Sequence, residues 1–225
     1  MAGKRSYDDG CATAHALELI GERWALLVVR ELVLGPKRFG DLRKGLPGIS
    51  PNVLTQRLQE LEAASVVVRR RLPQPASVWV YDLTNWGREL EPLIREIGRW
   101  AARSPTLPMD RPMSVNSVIL SFRTMFEPAR ARSFALTIAL TLDGQQFRAT
   151  VAYGALDIEP GETDAPTAAI DADPNALARV VYGGGSLDAA LEQGLLRIEG
   201  DRTAVERFVT LFPLPERAPA TAVAV

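Results

Sequence analysis

Between Trp24 and Leu61 the chain carries three helical segments separated by two breaks of glycine and proline, and this punctuation limits the fold more than any other feature. Trp24 to Leu34 is apolar almost all round and stops at Gly35–Pro36, which predicts a buried central helix. Phe39 to Leu46 predicts a short helix closed by Pro47–Gly48. Ser50 then stands where an N-cap is needed. Pro51 follows at the first helical position, where its missing N–H is no loss. In this third helix Leu54, Leu58 and Leu61 form one apolar stripe. The opposite face carries Asn52, Gln56 and Gln59, with Thr55 at its edge, where an ordinary solvent face would carry Lys and Glu.

Two β-branched runs follow, Val66–Leu72 and Val78–Leu83, separated by "PQPAS", a hairpin with a proline-bearing tip. Upstream, Cys11–Ile20 predicts a helix ended at Gly21. Downstream, Thr84 opens a last helix that runs through Trp100, with Leu90, Leu93, Ile94, Ile97 and Trp100 at helical spacing. Short helices joined by a tight turn and followed by a basic hairpin make a winged helix-turn-helix. In that arrangement the second helix of the pair enters the major groove of DNA. Amide side chains can pair with an adenine edge and Thr can touch a thymine methyl. The free amides of the helix start, with Ser50, can hold a phosphate.

Charge supports an anionic partner. Residues 1–104 hold 16 basic and 12 acidic side chains, a surplus of four cations; residues 105–225 hold 10 and 15, a surplus of five anions. Within 36–71 stand Lys37, Arg38, Arg43, Lys44, Arg57, Arg69, Arg70 and Arg71 against three carboxylates. The candidate DNA-binding residues are therefore Arg38, Ser50, Asn52, Thr55, Gln56, Arg57, Gln59, Arg69, Arg70 and Arg71.

Residues Cys11 to Trp100 resemble the HxlR family of bacterial transcription regulators, related to the MarR-like winged helices. The likeness is carried by Cys11 ten residues before Gly21, by "GERW", by "LLVVRELVLGPKRFGDLRKGLPGISPNVLTQRLQELE", by "VWVYDLTNWGREL" and by Trp100. The resemblance implies a homodimer, paired through its N-terminal and last helices, on pseudo-palindromic operator DNA. The sequence departs from the family in three respects. Ala64 and Ser65 stand where an acidic residue and Gly usually follow the recognition helix. The tip "PQPAS" lacks the usual basic residue, which moves wing contacts to the hairpin base. Ala12 replaces a proline after the cysteine.

Cys11 is the only cysteine, so an intrachain disulfide is excluded and a reducing cytoplasm fits. The first reading of Cys11 is a small packing residue at a dimer contact. The alternative, implied by some family members, is an oxidant sensor; Lys4 and Arg5 sit on the terminus, and Asp8 and Asp9 would raise its pKa. One cysteine and one histidine, His15, leave no ligand set for zinc, and no metal or cofactor is expected. The apolar runs are too short for a transmembrane helix, and "MAGKRSYDDG" is not followed by the apolar segment of a secretory signal.

The segment 103–113, "RSPTLPMDRPM", has three prolines and no periodicity, and marks the domain boundary. Beyond it Ser117–Phe126 reads as a helix. "SFALTIALTL" and "QQFRATVAY" alternate as strands and are joined by Asp143–Gly144. A weaker strand is expected at Ala168–Asp171, a helix from Asp173–Pro174 to Tyr182, a strand at "LLRIEG", and a helix from Asp201 to Phe212. The fold class is α+β, with a winged domain at 1–104, a linker at 105–112, a second domain at 113–215 and a flexible tail at 216–225. "VVYGGGSLDAALEQGLLRIEGDRTAVERFVTLF" resembles the end of sterol-carrier-protein-like domains, which implies an apolar cavity. Its candidate liners are Phe122, Phe126, Phe134, Phe147, Tyr153, Phe208 and Phe212. No catalytic constellation is visible, so no enzyme is expected. The reading is a cytoplasmic, homodimeric DNA-binding regulator, a repressor, whose second domain either senses a hydrophobic small molecule or braces the dimer. The alternative is a small-molecule carrier with a vestigial DNA-binding half.

Overall fold

The computed structural model describes residues 7–219. Lys4 and Arg5, and the tail beyond residue 219, lie outside the described residues. The chain is α+β and divides into two compact units, Met1–Ile94 and Arg95–Val225.

The first unit runs α1 (Ala12–Ile20), α2 (Ala25–Leu32), α3 (Phe39–Gly45), α4 (Pro51–Ala63), β1 (Val67–Arg71), β2 (Trp79–Leu83), α5 (Asn85–Arg88) and the start of α6 (Leu90–Ala101). Its core is built from Val28, Val29 and Leu32 of α2, Leu42 and Leu46 of the α3 segment, and Leu54, Leu58 and Leu61 of α4, all buried. Each such side chain contributes about 1.5–3 kcal/mol on removal from water. Glu31 is fully buried on α2, and its carboxylate accepts from Arg30 and from Lys37 Nζ, each at 2.9 Å. A Cβ on Gly45 would stand 2.4 Å from that carboxylate, so any larger residue at the end of α3 must displace the Glu31 side chain from its two cations. Lys37 also exchanges backbone hydrogen bonds with Tyr81, adding one residue of a third strand to the hairpin.

α4 ends in a Schellman arrangement. The Val66 N–H donates to Leu61 O and the Ser65 N–H to Glu62 O, both at 2.9 Å, with Ser65 at φ +58°. Ser65 therefore takes the place where a glycine was expected without loss of the cap geometry. The expected single helix from Thr84 to Trp100 is instead two, α5 and α6, divided at Glu89. Pro92 gives the reason: its ring crowds the carbonyl four residues earlier, that of Arg88, where α5 stops. Thr84 caps α5 by accepting from the Gly87 N–H at 2.9 Å.

The second unit contains the rest of α6, α7 (Val115–Met125), a 3-10 turn at Pro128–Ala131, β3 (Ala135–Leu142), β4 (Gln145–Ala152), β5 (Ala155–Pro160), β6 (Ala168–Ala172), α8 (Pro174–Tyr182), α9 (Leu187–Glu192), β7 (Leu196–Gly200) and α10 (Arg202–Val209). The sheet order is β5-β4-β3-β6-β7, with β3 and β6 parallel and the other pairs antiparallel. Asp143 (φ +48°) and Gly144 (φ +73°) make the tight β3–β4 turn expected of "DG". Alternation buries Leu136, Ile138, Leu140, Leu142, Phe147, Ala149 and Val151 on one face of the sheet. β5 was not expected: of its six residues only Ile158 is buried, so it has no alternating signature. Arg95 and Arg99 of α6 donate to the carbonyls of Arg123 and Thr124 at the C-terminal end of α7, satisfying acceptors that a helix end leaves open. The expected free tail begins tied down, for the Ala218 N–H donates to Arg103 O at 2.7 Å.

Candidate nucleic-acid interface

α4 is positioned by its stripe. Leu54, Leu58 and Leu61 are buried, so the helix has one rotational setting, and Asn52, Thr55, Gln56 and Gln59 are left exposed. Ser50 caps it, its Oγ accepting from the Val53 N–H at 3.3 Å, with Pro51 next. The Thr55 hydroxyl donates to Pro51 O and Gln56 Nε2 to Glu60, at 2.9 and 3.0 Å. Those bonds are local and exposed, so both side chains can exchange them for another partner.

Arg57 does not belong to this face. It stands four residues before Leu61 and three after Leu54, within the buried stripe, and it is itself buried. Its Nη1 lies 2.6 Å from Glu60 and 3.6 Å from Glu22. Its assignment to DNA is corrected: it is a scaffold cation whose charge is already matched. Arg70 is corrected likewise. The hairpin register puts Arg70 opposite Val80, and its guanidinium reaches the buried Asp82 at 2.7 Å, which also accepts from Arg88. Asp82 thus ties the hairpin to α5.

Between residues 36 and 71 the structure therefore sorts the eight cations. Lys37, Arg57 and Arg70 are bound to carboxylates. Arg38, Arg43, Lys44, Arg69 and Arg71 are exposed, and among the described residues none of these five has a carboxylate partner. Arg38 is the N-cap residue of α3. Arg71 Nε donates to Ser77 O at 3.1 Å. Arg69 lies over the ring of Trp79, 4.9 Å from its centroid. Trp79 was not singled out from sequence; its place in an alternating run next to exposed arginines was the available signal.

A second exposed feature is apolar. α6 buries none of its residues although its apolar positions lie on one face; Leu93, Ile97 and Trp100 are 55%, 49% and 77% exposed. Leu17 on α1 is exposed too.

Cys11 is exposed on the single chain. It occupies the N-cap of α1. Its thiol closes no capping hydrogen bond, but the Thr13 N–H, the Ala14 N–H and the Thr13 hydroxyl favour the thiolate and hold its pKa below the ordinary value. The expected upward push from Asp8 and Asp9 does not prevail; Asp9 instead accepts from the Cys11 N–H at 2.9 Å. His15 is exposed and lies 3.4 Å from Glu18.

The seven aromatic liner candidates do not share one site. Phe122, Phe208 and Phe212 are fully buried and pack on one another, Phe122 and Phe212 stacked with centroids 4.4 Å apart. Phe147 is buried on the sheet, Phe126 and Phe134 are half-buried, and Phe134 lies under Arg207. Tyr153 faces solvent at the β4–β5 turn, because it sits at φ +48° just outside the ladder. A hollow of about 250 Å3 is lined instead by Trp100, Ala101, Arg103, Ser104, Pro105 and Ala218. Among the described residues no group of three His, Cys, Asp or Glu side chains could hold a metal ion, and no helix is long and apolar enough to cross a membrane.

Comparison with known proteins gives two matches along the chain. Residues 19–106 match the family described as HxlR-like helix-turn-helix, and residues 109–218 match the alkyl sulfatase C-terminal family. The second half is thus only loosely like a sterol carrier. The uncharacterized HTH-type transcriptional regulator YvaP of Bacillus subtilis is 38% identical over 86 residues, 38% of this chain and 80% of YvaP. The HTH-type transcriptional regulator YodB of the same organism is 38% identical over 86 residues, 38% of this chain and 77% of YodB. The crystal structure of quinone-bound YodB from that organism shares 35% identity, covers 40% of this chain and 93% of its own, and has a TM-score of 0.35.

Proposed function

The chain belongs to the HxlR-like helix-turn-helix family and is a DNA-binding transcriptional regulator, and from that premise we propose that it is a cytoplasmic homodimeric repressor of a pseudo-palindromic operator. The observation that carries the reading is α4: an exposed, uncharged face of Asn52, Thr55, Gln56 and Gln59, in a segment that also exposes Arg38, Arg69 and Arg71, none with a carboxylate partner among the described residues. The amides and hydroxyl read base edges, Ser50 and the helix start hold a phosphate, and the arginines hold neighbouring phosphates. The carrier reading has less support, since a vestigial DNA-binding half would have no reason to keep this face free of competing charge.

Residues 1–104 form the DNA-binding and dimerisation half, 105–112 the linker, and 113–215 the effector-responsive or bracing half. Dimerisation uses the apolar faces of α6 and α1. Leu90, Leu93, Ile97 and Trp100 repeat at alternating steps of three and four, a seam suited to a facing helix. A hydrophobic effector of the second half enters by displacing packed rings, since Phe122, Phe208 and Phe212 are buried and already packed on one another.

The experiment is selection of bound duplexes from a random pool, followed by titration of the best sequence with wild type and Gln56→Ala. The variant weakens that complex by about 1–3 kcal/mol and relaxes preference at one base pair. Equal loss on every sequence sinks base reading by Gln56. Sedimentation of Leu93→Glu/Ile97→Glu tests the seam: the pair is monomeric, and a dimer of unchanged affinity refutes the assigned face.

A second reading is favoured by the exposed, acidified thiol of Cys11. Here the regulator responds to oxidants or electrophiles through that thiolate. Cys11→Ser then abolishes any loss of operator binding caused by a quinone or diamide, and an unaltered response excludes it.

A further inference from the structure

The wing lacks charge where a wing ordinarily meets DNA. Pro73, Gln74, Pro75 and Ala76 form its exposed tip and carry none. Its cations lie lower, and the register separates them. Arg69 pairs with Tyr81 and Arg71 with Trp79, so these four side chains share one face of the hairpin, and Arg70 lies on the other with Asp82. On the first face Trp79 is 55% exposed, an expensive place for an indole, and the Arg69 guanidinium lies over it.

Resting on the DNA-binding reading above, we infer that Trp79 is a positioning residue: its indole holds the Arg69 guanidinium flat and ready for a DNA phosphate, so that the wing meets the duplex with a strand face rather than its tip. The physical reason is preorganisation. A free arginine side chain loses much rotamer freedom when it grips a phosphate, whereas one already stacked on a ring has lost part of it beforehand. Stacking also leaves the N–H edge of the guanidinium open, because those donors lie in its plane. Arg71 shares the face and is steadied by Ser77 O, so two cations lie side by side there.

The test uses the full chain and a fluorescent mixed-sequence duplex, since phosphate contacts are read on any sequence. Anisotropy titrations run from about 50 to about 200 mM salt. Arg69→Ala lowers the slope of log affinity against log salt by about one unit, and Arg70→Ala leaves it at the wild-type value. Trp79→Ala weakens binding about two- to fivefold, the worth of an exposed cation–π contact, and Trp79→Phe retains most of the affinity. Trp79→Leu, which keeps apolar bulk without a ring, guards against a folding defect and must behave as Trp79→Ala. The double variant Arg69→Ala/Trp79→Ala binds no more weakly than Arg69→Ala alone. Additive losses, or Trp79→Ala at wild-type affinity while Arg69→Ala is weakened, overturn the inference. A wild-type chain with no salt-dependent complex at all overturns the DNA-binding reading itself, a result distinct from either.

Discussion

Ser65 is held at φ +58° by the cap of the recognition helix, and replacing it with glycine is expected to stabilise the first unit. A non-glycine residue in the left-handed region is disfavoured by about 1–2 kcal/mol. Glycine adds freedom to the unfolded chain, which removes about 0.5–1 kcal/mol of the gain. The net expectation is about 0.5–1 kcal/mol in favour of Ser65→Gly. The backbone bonds that fix the position survive the change: Ser65 N–H to Glu62 O at 2.9 Å, and Thr84 Oγ1 to Ser65 O at 2.7 Å. Ser65→Ala is the control. It keeps the Cβ and hence the strain, and it is expected within about 0.5 kcal/mol of wild type. The assay is urea unfolding followed by tryptophan fluorescence, which reports mainly the first unit because three of the four tryptophans, Trp24, Trp79 and Trp86, lie in it. The midpoint should rise with an unchanged m-value. A midpoint that stays or falls for Ser65→Gly, or rises as much for Ser65→Ala, refutes the argument that φ strain at the cap is what matters.

Gly87→Ala should do the reverse, because a Cβ there would meet the Val66 carbonyl oxygen at 2.1 Å; a loss above about 2 kcal/mol in the same assay is expected, and a neutral result would mean that the α5 start is loosely placed. The Cys11 thiolate is favoured by the Thr13 and Ala14 amides, so at any pH below its titration more of it is ionised than of a free thiol. Its alkylation rate should rise with pH to a midpoint below that of a free cysteine, and an equal or higher midpoint contradicts the N-cap geometry.

The first half was legible because its signals are local. Gly35–Pro36, Pro47–Gly48 and Ser50–Pro51 each act within a turn of chain, and α2, α3 and α4 begin and end beside them. Charge was less legible. A count of arginines cannot tell Arg69, stacked and free of carboxylates, from Arg70, bound to Asp82 twelve residues away. Arg57 could have been found, since its spacing to Leu54 and Leu61 already placed it on the buried stripe. The break between α5 and α6 was also readable from Pro92, but the apolar repeat continues across it and hid it. In the second half alternation revealed β3 and β4, which each have one buried face, and missed β5, which as an edge strand has almost none. The aromatic residues could not be sorted at all: whether a Phe packs on another Phe or borders a void depends on distances that no spacing along the chain encodes.

β3 lies in the middle of its sheet, with β4 on one side and β6 on the other, and that has a consequence for the chain as it is made. β4 follows β3 directly through a tight turn, whereas β6 arrives only after β5 and a loop, as the parallel partner of Ile138 to Leu142. Until residues 168–172 leave the ribosome, one edge of β3 is open, and its sequence, ALTIALTL, has neither charge nor proline to discourage another chain from pairing with it. Nascent chains halted between β5 and β6 therefore expose a pairing edge that the finished sheet covers, so co-translational chaperones should meet the protein there.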